Sequence, residues 1–385
     1  KIWYVDNSLL SGMHSGETWD EPINLQDALS AATAGDQIWV AVGAGTYTPD
    51  LGANRNTSFN LTDGIEIYGG FPSGLTASDD GDFSLRDVAT NTTILSGDLD
   101  GVNYSYHILF ADGASPNPPI QDVIIDGFTI QDGLANGGGS QDKGAAFYSN
   151  EAEVTFNNCT FQNNLANVAG GAIYTTQTNG TNGKLILKKC TFTSNNVTGV
   201  GSGGAIYTEG LTQSAIINCE FYDNNATGST GSNGGAIFYQ DGNNHQIVNG
   251  LLYGNNADEN GGAIYVNSSA NLDIINTTIT ENTSVSSNNG VYLSDGTLTI
   301  KNSILWNNDG SAETNQIQTN GTVVLTIDNT IIQGGSSTPF ANGTGNLTSD
   351  PLFVGSLDFS LQSSSPAIDA GNISHFPVDI FDIDE

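Results

Sequence analysis

A five-residue string recurs through the middle of this chain at intervals too short for independent domains. Gly-Gly-Ala-Ile-aromatic begins at Gly170, Gly203, Gly234 and Gly261, and a degenerate copy, Gly144-Ala145-Ala146-Phe147-Tyr148, precedes them. Between copies lies a second motif, seen in Asn158-Cys159-Thr160-Phe161 and Asn218-Cys219-Glu220-Phe221. Aligned on the Cys position, the repeats place Cys159, Cys190, Cys219, Gly250, Thr277, Ser303 and Thr330 in one column of small residues. Their separations are 31, 29, 31, 27, 26 and 27.

Neighbouring columns fall into register. Five and three residues upstream stand Val154/Phe156, Leu185/Leu187, Ser214/Ile216, His245/Ile247, Leu272/Ile274, Leu298/Ile300 and Leu325/Ile327; two downstream stand Phe161, Phe192, Phe221, Leu252, Ile279, Leu305 and Ile332. Apolar residues at alternate positions mean strands with one face inward. The parity breaks at the column Asn158, Lys189, Asn218, Asn249, Asn276, Asn302 and Asn329. The chain bends there, because Asn tolerates left-handed backbone.

A period of this length with two or three short strands per repeat predicts an all-β fold, a right-handed parallel β-helix in which coils stack at roughly 4.8 Å. The Leu-x-x-Leu-x-Leu pattern of leucine-rich repeats is absent, and a propeller blade needs about 40 residues. Less regular strands before residue 140 bring the expectation to about ten or eleven coils. Leu25, Ala28, Leu29 and Ala32 share one helical face, so an N-terminal helix is expected to cap the open end of the stack. The chain reads as one domain: cap and first coil over 1–45, irregular coils over 46–140, regular repeats over 141–335 and an atypical end over 336–385.

Charge narrows the partners. Among 385 residues, 41 Asp and Glu face 8 Lys and Arg, a net charge of −33. Such a surface repels nucleic acid and anionic bilayers, and opposes acidic polysaccharides unless metal ions or a basic patch intervene. No run of about 18 apolar residues exists, so no membrane span is expected. The chain starts at Lys1 with no signal peptide, and is read as processed or trimmed. Three Cys cannot all pair, and none sits in a C-x-x-C motif. Cys159, Cys190 and Cys219 share their column with Gly, Thr and Ser, so buried, reduced thiols are expected.

The opening Trp3-Tyr4-Val5-Asp6, Leu25-Gln26-Asp27-Ala28-Leu29, Gly35-Asp36-Gln37-Ile38-Trp39-Val40-Ala41 and Gly45-Thr46-Tyr47-Thr48-Pro49 resemble the start of secreted bacterial right-handed β-helix proteins. Asp350-Pro351-Leu352-Phe353 and Leu361-Gln362-Ser363-Ser364-Ser365-Pro366-Ala367-Ile368-Asp369-Ala370-Gly371 resemble the "choice-of-anchor" group common in Bacteroidetes. The Gly-Gly-Ala-Ile and Phe-x-x-Asn repeats are similar to those of chlamydial polymorphic outer-membrane proteins. The resemblance implies a secreted or outer-surface protein, with adhesins prominent among such families, and a sorting or anchoring segment beyond Glu385.

Pectate-lyase-like enzymes share this coil, so the residues that such catalysis requires bear on the function. A lyase needs a cation against the substrate carboxylate and a Lys or Arg base, yet only Lys184, Lys188 and Lys189 cluster, within one coil. A hydrolase needs paired carboxylates. Asp122, Asp126 and Asp132 are candidates whose neighbours suit turns better. Of His14, His107, His245 and His375, none has a Gly-His-Gly context, and His245 falls in an inward column. Calcium is a candidate cofactor at Asp98, Asp100 and Asn103, which space three oxygen ligands around a Gly turn. Asp79-Asp80-Gly81-Asp82 and Asp379 with Asp382 and Asp384 are similar candidates; each has a plainer reading as a solvated turn. Alternation places Tyr148, Tyr174, Tyr207, Phe238 and Tyr265 outward in a stripe that either stacks sugars or a partner, or stabilises the sheet. The resulting expectation is an extracellular, non-catalytic surface module, an adhesin or stalk, binding cell-surface or matrix glycan. The alternatives are a polysaccharide lyase or glycoside hydrolase, and a filament subunit that binds copies of itself.

Overall fold

The computed structural model describes residues 1–8, 14–114, 120–177, 183–228, 231–285, 289–309, 312–321 and 323–376. The alternating columns form strands that pair with the same strand one coil away, and every pairing between named strands is parallel, as expected of a β-helix. An eleven-stranded wall, the long sheet, runs from Ile2–Val5 to Val323–Asp328. The Gly-Gly-Ala-Ile strands form a nine-stranded wall, the ladder sheet, from Phe59–Asn60 to Ile317–Thr319. A second nine-stranded wall and a six-stranded one of two-residue strands complete the tube. Register follows the sequence columns: Val154, Leu185, Ser214, His245, Leu272, Leu298 and Leu325 are successive partners.

The predicted bend adopts left-handed backbone in every regular coil, with φ between 47° and 56° from Asn158 to Asn329. Lys189 does so as well, at 53°, so coil geometry overrides the residue preference there. A second left-handed position at Asn163, Ser194, Asp223, Gly254, Glu281 and Asn307 turns the next residue, an Asn, into the tube. The paired glycines answer two different demands. Gly203 has φ +70°, whereas a Cβ on Gly204 would sit 2.1 Å from the carbonyl oxygen of Gly235 in the next coil.

The main apolar core runs from Val5 to Phe340, and Ala135, Ala145, Ala166 and Val197 form a small separate buried cluster. Phe161, Phe192 and Phe221 stack with centroids 4.5 and 4.6 Å apart. Beside them runs a polar row. Asn164, Asn195, Asn224, Asn255, Asn282 and Asn308 are fully buried. Each side-chain amide donates to the Oδ1 of the next Asn at 2.9–3.0 Å, from Asn164 through Asn282. Each also donates to a main-chain carbonyl of the preceding coil at 2.9–3.0 Å. Each receiving Oδ1 also takes the backbone N–H of the Asn before it. Gln316 ends the row, its Oε1 accepting from Asn308 Nδ2 at 2.8 Å.

The ends differ. Helix Leu25–Ala31, capped by Asn24, buries Leu25, Ala28 and Leu29 on the first coils. Tyr4 is bonded by Gly16 and Ile23, which covers the first strand's edge. Tyr4, Trp19, Trp39 and Phe71 form another, outer cluster. At the other end Phe340 of the helix Thr338–Asn342 covers part of the last coil. Leu325 keeps its inward column but is only half-buried, because among the described residues no further strand pairs beyond Val323–Asp328. The chain then folds back along the outer wall, setting Phe359 against Tyr253 at 5.1 Å.

His245 is fully buried, its Nδ1 2.9 Å from Ser214 Oγ, and burial pushes its pKa down to about 4. His107 is buried too, Nδ1 3.0 Å from the Gly144 carbonyl oxygen, and is likewise pushed down to about 4. The three cysteines are free and buried, and burial pushes the Cys159 and Cys190 thiols well above their usual range.

Three outcomes follow from this interior. Asn224→Ala strands donors and acceptors on both neighbouring coils and is expected to cost about 3 kcal/mol or more in denaturant unfolding; a loss under about 1 kcal/mol would show the row contributes little. Native thiols should react slowly with a titrant, and denatured, non-reduced protein should show three; a count of one would reveal a disulfide. Both histidines are neutral when folded, so unfolding takes up protons as pH falls below about 6.5, and stability drops progressively towards pH 4. Each is expected to contribute about 2–3 kcal/mol of that loss by pH 4.5. The paired variant His107→Asn with His245→Asn should flatten this part of the profile, and an unchanged profile would refute the assignment.

Candidate functional site

On the ladder sheet Phe147, Ile173, Ile206, Ile237 and Ile264 are buried inward, so the aromatic after each points out. Tyr148, Tyr174, Tyr207, Phe238 and Tyr265 are register partners on successive coils, so the structure brings together all five residues expected there. Phe110 and Tyr292 extend the row at its two ends. Sequence reading missed them because neither follows a Gly-Gly pair. An aromatic in the register position was the available signal.

The rings face one another. Centroid distances are 5.4 Å for Tyr148–Tyr174 and 5.5 Å for Tyr174–Tyr207, with planes tilted by 24° and 25°. They tighten to 4.7 and 4.8 Å at Tyr207–Phe238 and Phe238–Tyr265, with tilts of 4° and 6°. Stacking of this kind uses the ring faces inside the row and leaves edges and hydroxyls outward. Tyr174 and Phe238 are buried; Tyr148, Tyr207 and Tyr265 are half-buried.

Two polar columns flank the rings. Two residues further along each strand stand Asp112, Asn150, Thr176, Glu209, Gln240 and Asn267. Within it Asn150 Nδ2 donates to Asp112 at 3.2 Å and Asn267 Nδ2 to Gln240 at 3.0 Å. Tyr174 donates its hydroxyl to the Glu209 carboxylate. Burial and then Glu209 raise the Tyr174 and Tyr207 phenols above their ordinary value, which keeps both as donors. On the other side Lys143, Ala169 and Ser202 are bridged in one column. Lys143 Nζ lies 4.8 Å from the Tyr174 ring centroid. Lys143, Ala169, Tyr174, Ser202, Tyr207 and Glu209 line a surface cavity of about 270 Å³. Beside it, Asp142 has a buried Oδ1 without a hydrogen-bond partner, and burial raises its pKa.

The other candidates are spread through the molecule. In the Asp98–Asn103 turn, Asp98 accepts from Gly101 N, and Asp100 accepts from Val102 N, Asn103 N and Asn103 Nδ2 at 2.6–3.0 Å. The Asn103 contacts foremost hold the Asp100 carboxyl below its ordinary value. Asp79, Asp80 and Asp82 bond Thr76, Trp19 N and Ser84. Asp379, Asp382 and Asp384 lie outside the described residues. Among the described residues no group of three or more His, Cys, Asp or Glu converges.

Arg86 bonds Gly69 O and the carboxylate of Asp126. Arg55 bonds the carbonyls of Tyr104 and Leu134, and Lys184 pairs with Glu153 at 2.8 Å. Lys188 and Lys189 are exposed on the long-sheet bend. Asp122 has left-handed backbone at an irregularity within the strand Ile120–Asp126, Asp132 has it just past the strand Phe128–Gln131, at φ 52° and 62°, and Asp126 belongs to Arg86. Asp112 and Glu209, the carboxylates of the polar column, stand three coils apart, a backbone separation of roughly 14 Å. Paired glycosidase carboxylates sit about 5–9.5 Å apart.

No curated protein sequence matches this chain. The crystal structure of pectate lyase Pel9A is similar in fold, with a TM-score of 0.50 over 96% of this chain and 91% of that one, at 12% identity. Residues 143–342 match the family described as the right handed beta helix region. That match spans more than half of the sequence and joins the coil geometry above, so the chain belongs to the right-handed β-helix family.

Proposed function

We propose that this protein is a non-catalytic extracellular surface module, an adhesin or stalk, that binds glycan on the outer face of its ladder sheet. The observation that carries the reading is the pairing, over successive coils, of an aromatic row with hydroxyl, amide and carboxylate columns. Such a face offers hydrogen bonds to sugar hydroxyls at a regular spacing on a rigid support. On the long sheet the inward column from Val154 to Leu325 stays apolar except at Ser214 and His245, both of them buried, and the inward Asn row is consumed by its own hydrogen bonds. Separation of Asp112 from Glu209 speaks against hydrolysis by that pair.

A lyase is the second reading. It rests on Lys143, the cation that stands over the ladder, together with the fold shared with a pectate lyase. A filament formed end to end is less supported, because the first strand's edge and the cap helix leave little open surface at the N-terminal end. Calcium at Asp98, Asp100 and Asn103 belongs to the proposal as a stabiliser, exchanging the turn's own N–H donors for the ion.

A glycan array, run with calcium and with a chelator, tests all of this. Binding is expected without products in reducing-end and unsaturated-uronate assays. Turnover abolished by Lys143→Ala would replace the adhesin reading with the lyase. A chelator should lower the Tm, and an unmoved Tm would remove calcium from the account.

A further inference from the structure

From the Lys143–Glu209 cavity we infer a binding site for one terminal residue of a neutral glycan, held end-on by hydrogen bonds and not laid along the aromatic row. The inference rests on the glycan-binding reading above and specifies its site and ligand class.

The cavity has a local cause. In the column before the Gly-Gly pair, Lys143 and Ser202 are separated by Ala169, whose methyl group leaves the space between them unfilled. The cavity lies in the looser stretch of the aromatic row: Tyr148–Tyr174 and Tyr174–Tyr207 are 5.4 and 5.5 Å apart and tilted by 24° and 25°, against 4.7 Å and 4° for Tyr207–Phe238. A gap therefore opens beside two phenols, an ammonium, a carboxylate and a hydroxyl. At about 270 Å³ it falls just under the ~300 Å³ lower bound of drug-sized pockets. That space suits a single small polar ring.

The chemistry selects the ligand. Adjacent sugar hydroxyls both accept and donate, so one diol can accept from Lys143 Nζ and donate to Glu209, which already accepts from Tyr174. An acidic sugar would meet Glu209 and a net charge of −33 against one Lys. Flat stacking along the row is disfavoured, since neighbouring rings occupy each other's faces. Contacts are thus concentrated where the column is interrupted.

The test uses neutral oligosaccharides one to six residues long that share a terminal residue chosen from array hits, with the free monosaccharide as competitor. Affinity is expected to level off by the disaccharide, and the monosaccharide should compete. Ala169→Leu, which fills the gap, and Lys143→Met should each weaken binding at least tenfold; Lys143→Met should leave the Tm nearly unchanged, whereas Ala169→Leu, at a buried position, is expected to lower it. Should Ala169→Leu fail to fold, Lys143→Met decides. Affinity that climbs with each added residue, or wild-type affinity in both variants, would overturn the end-on site while leaving glycan binding intact. Binding of uronate polymers alone would overturn the neutral ligand. No glycan binding by the wild-type protein would remove this site and the function proposed above together.

Discussion

An amide buried inside a tube needs partners there, and in this protein each coil supplies them to the next. The Asn row from Asn164 to Asn308 is satisfied only when neighbouring coils keep the same register. A slip by one residue would turn the apolar columns outward and leave these amides without partners. Register, once fixed by the row, fixes the Phe stack, the thiol column and the left-handed bends with it. Where the row stops, Gln316 supplies the last acceptor from a short helix instead of a further coil.

The same constraint shapes the outer face. Parallel in-register coils bring like residues together, so aromatics that follow each inward Ile must meet. Their mutual stacking stabilises the ladder sheet and simultaneously withdraws ring faces from solvent. What remains toward solvent are the flanking polar columns, and the column Lys143, Ala169, Ser202 is interrupted at Ala169, beside the cavity.

The basic residues show how an acidic solenoid uses scarce cations. Arg86 ties the segment before it to Gly69 and Asp126, and Arg55 joins loops from distant parts of the chain through carbonyl oxygens. Lys184 meets Glu153 across one coil step. Lys143 lies over an aromatic ring as Lys1, Arg55 and Arg86 also do, and its ring, that of Tyr174, borders the cavity that reaches Glu209.

Much of the fold was legible in the sequence because a coil repeats its chemistry. The small column at Cys159, the alternating pairs at Val154/Phe156 and the Asn bend each recur at one spacing, and each became a wall or a corner. The five outward aromatics followed from parity alone. The inward Asn row was present as Phe-x-x-Asn, but its direction depended on a second left-handed residue such as Ser194 or Glu281, types that do not announce that backbone. Leu325 followed its column and still ended half-buried, because burial there depends on a further strand, and among the described residues none pairs beyond Val323–Asp328. The Lys143–Glu209 cavity joins residues 66 positions apart across an alanine gap, and no periodicity records what a missing side chain leaves open. Sequence determined the repeat, the parity and so the tube; tertiary packing decided which polar groups were consumed by their neighbours and which stayed open to a ligand, since that depends on contacts between coils and not on spacing along the chain.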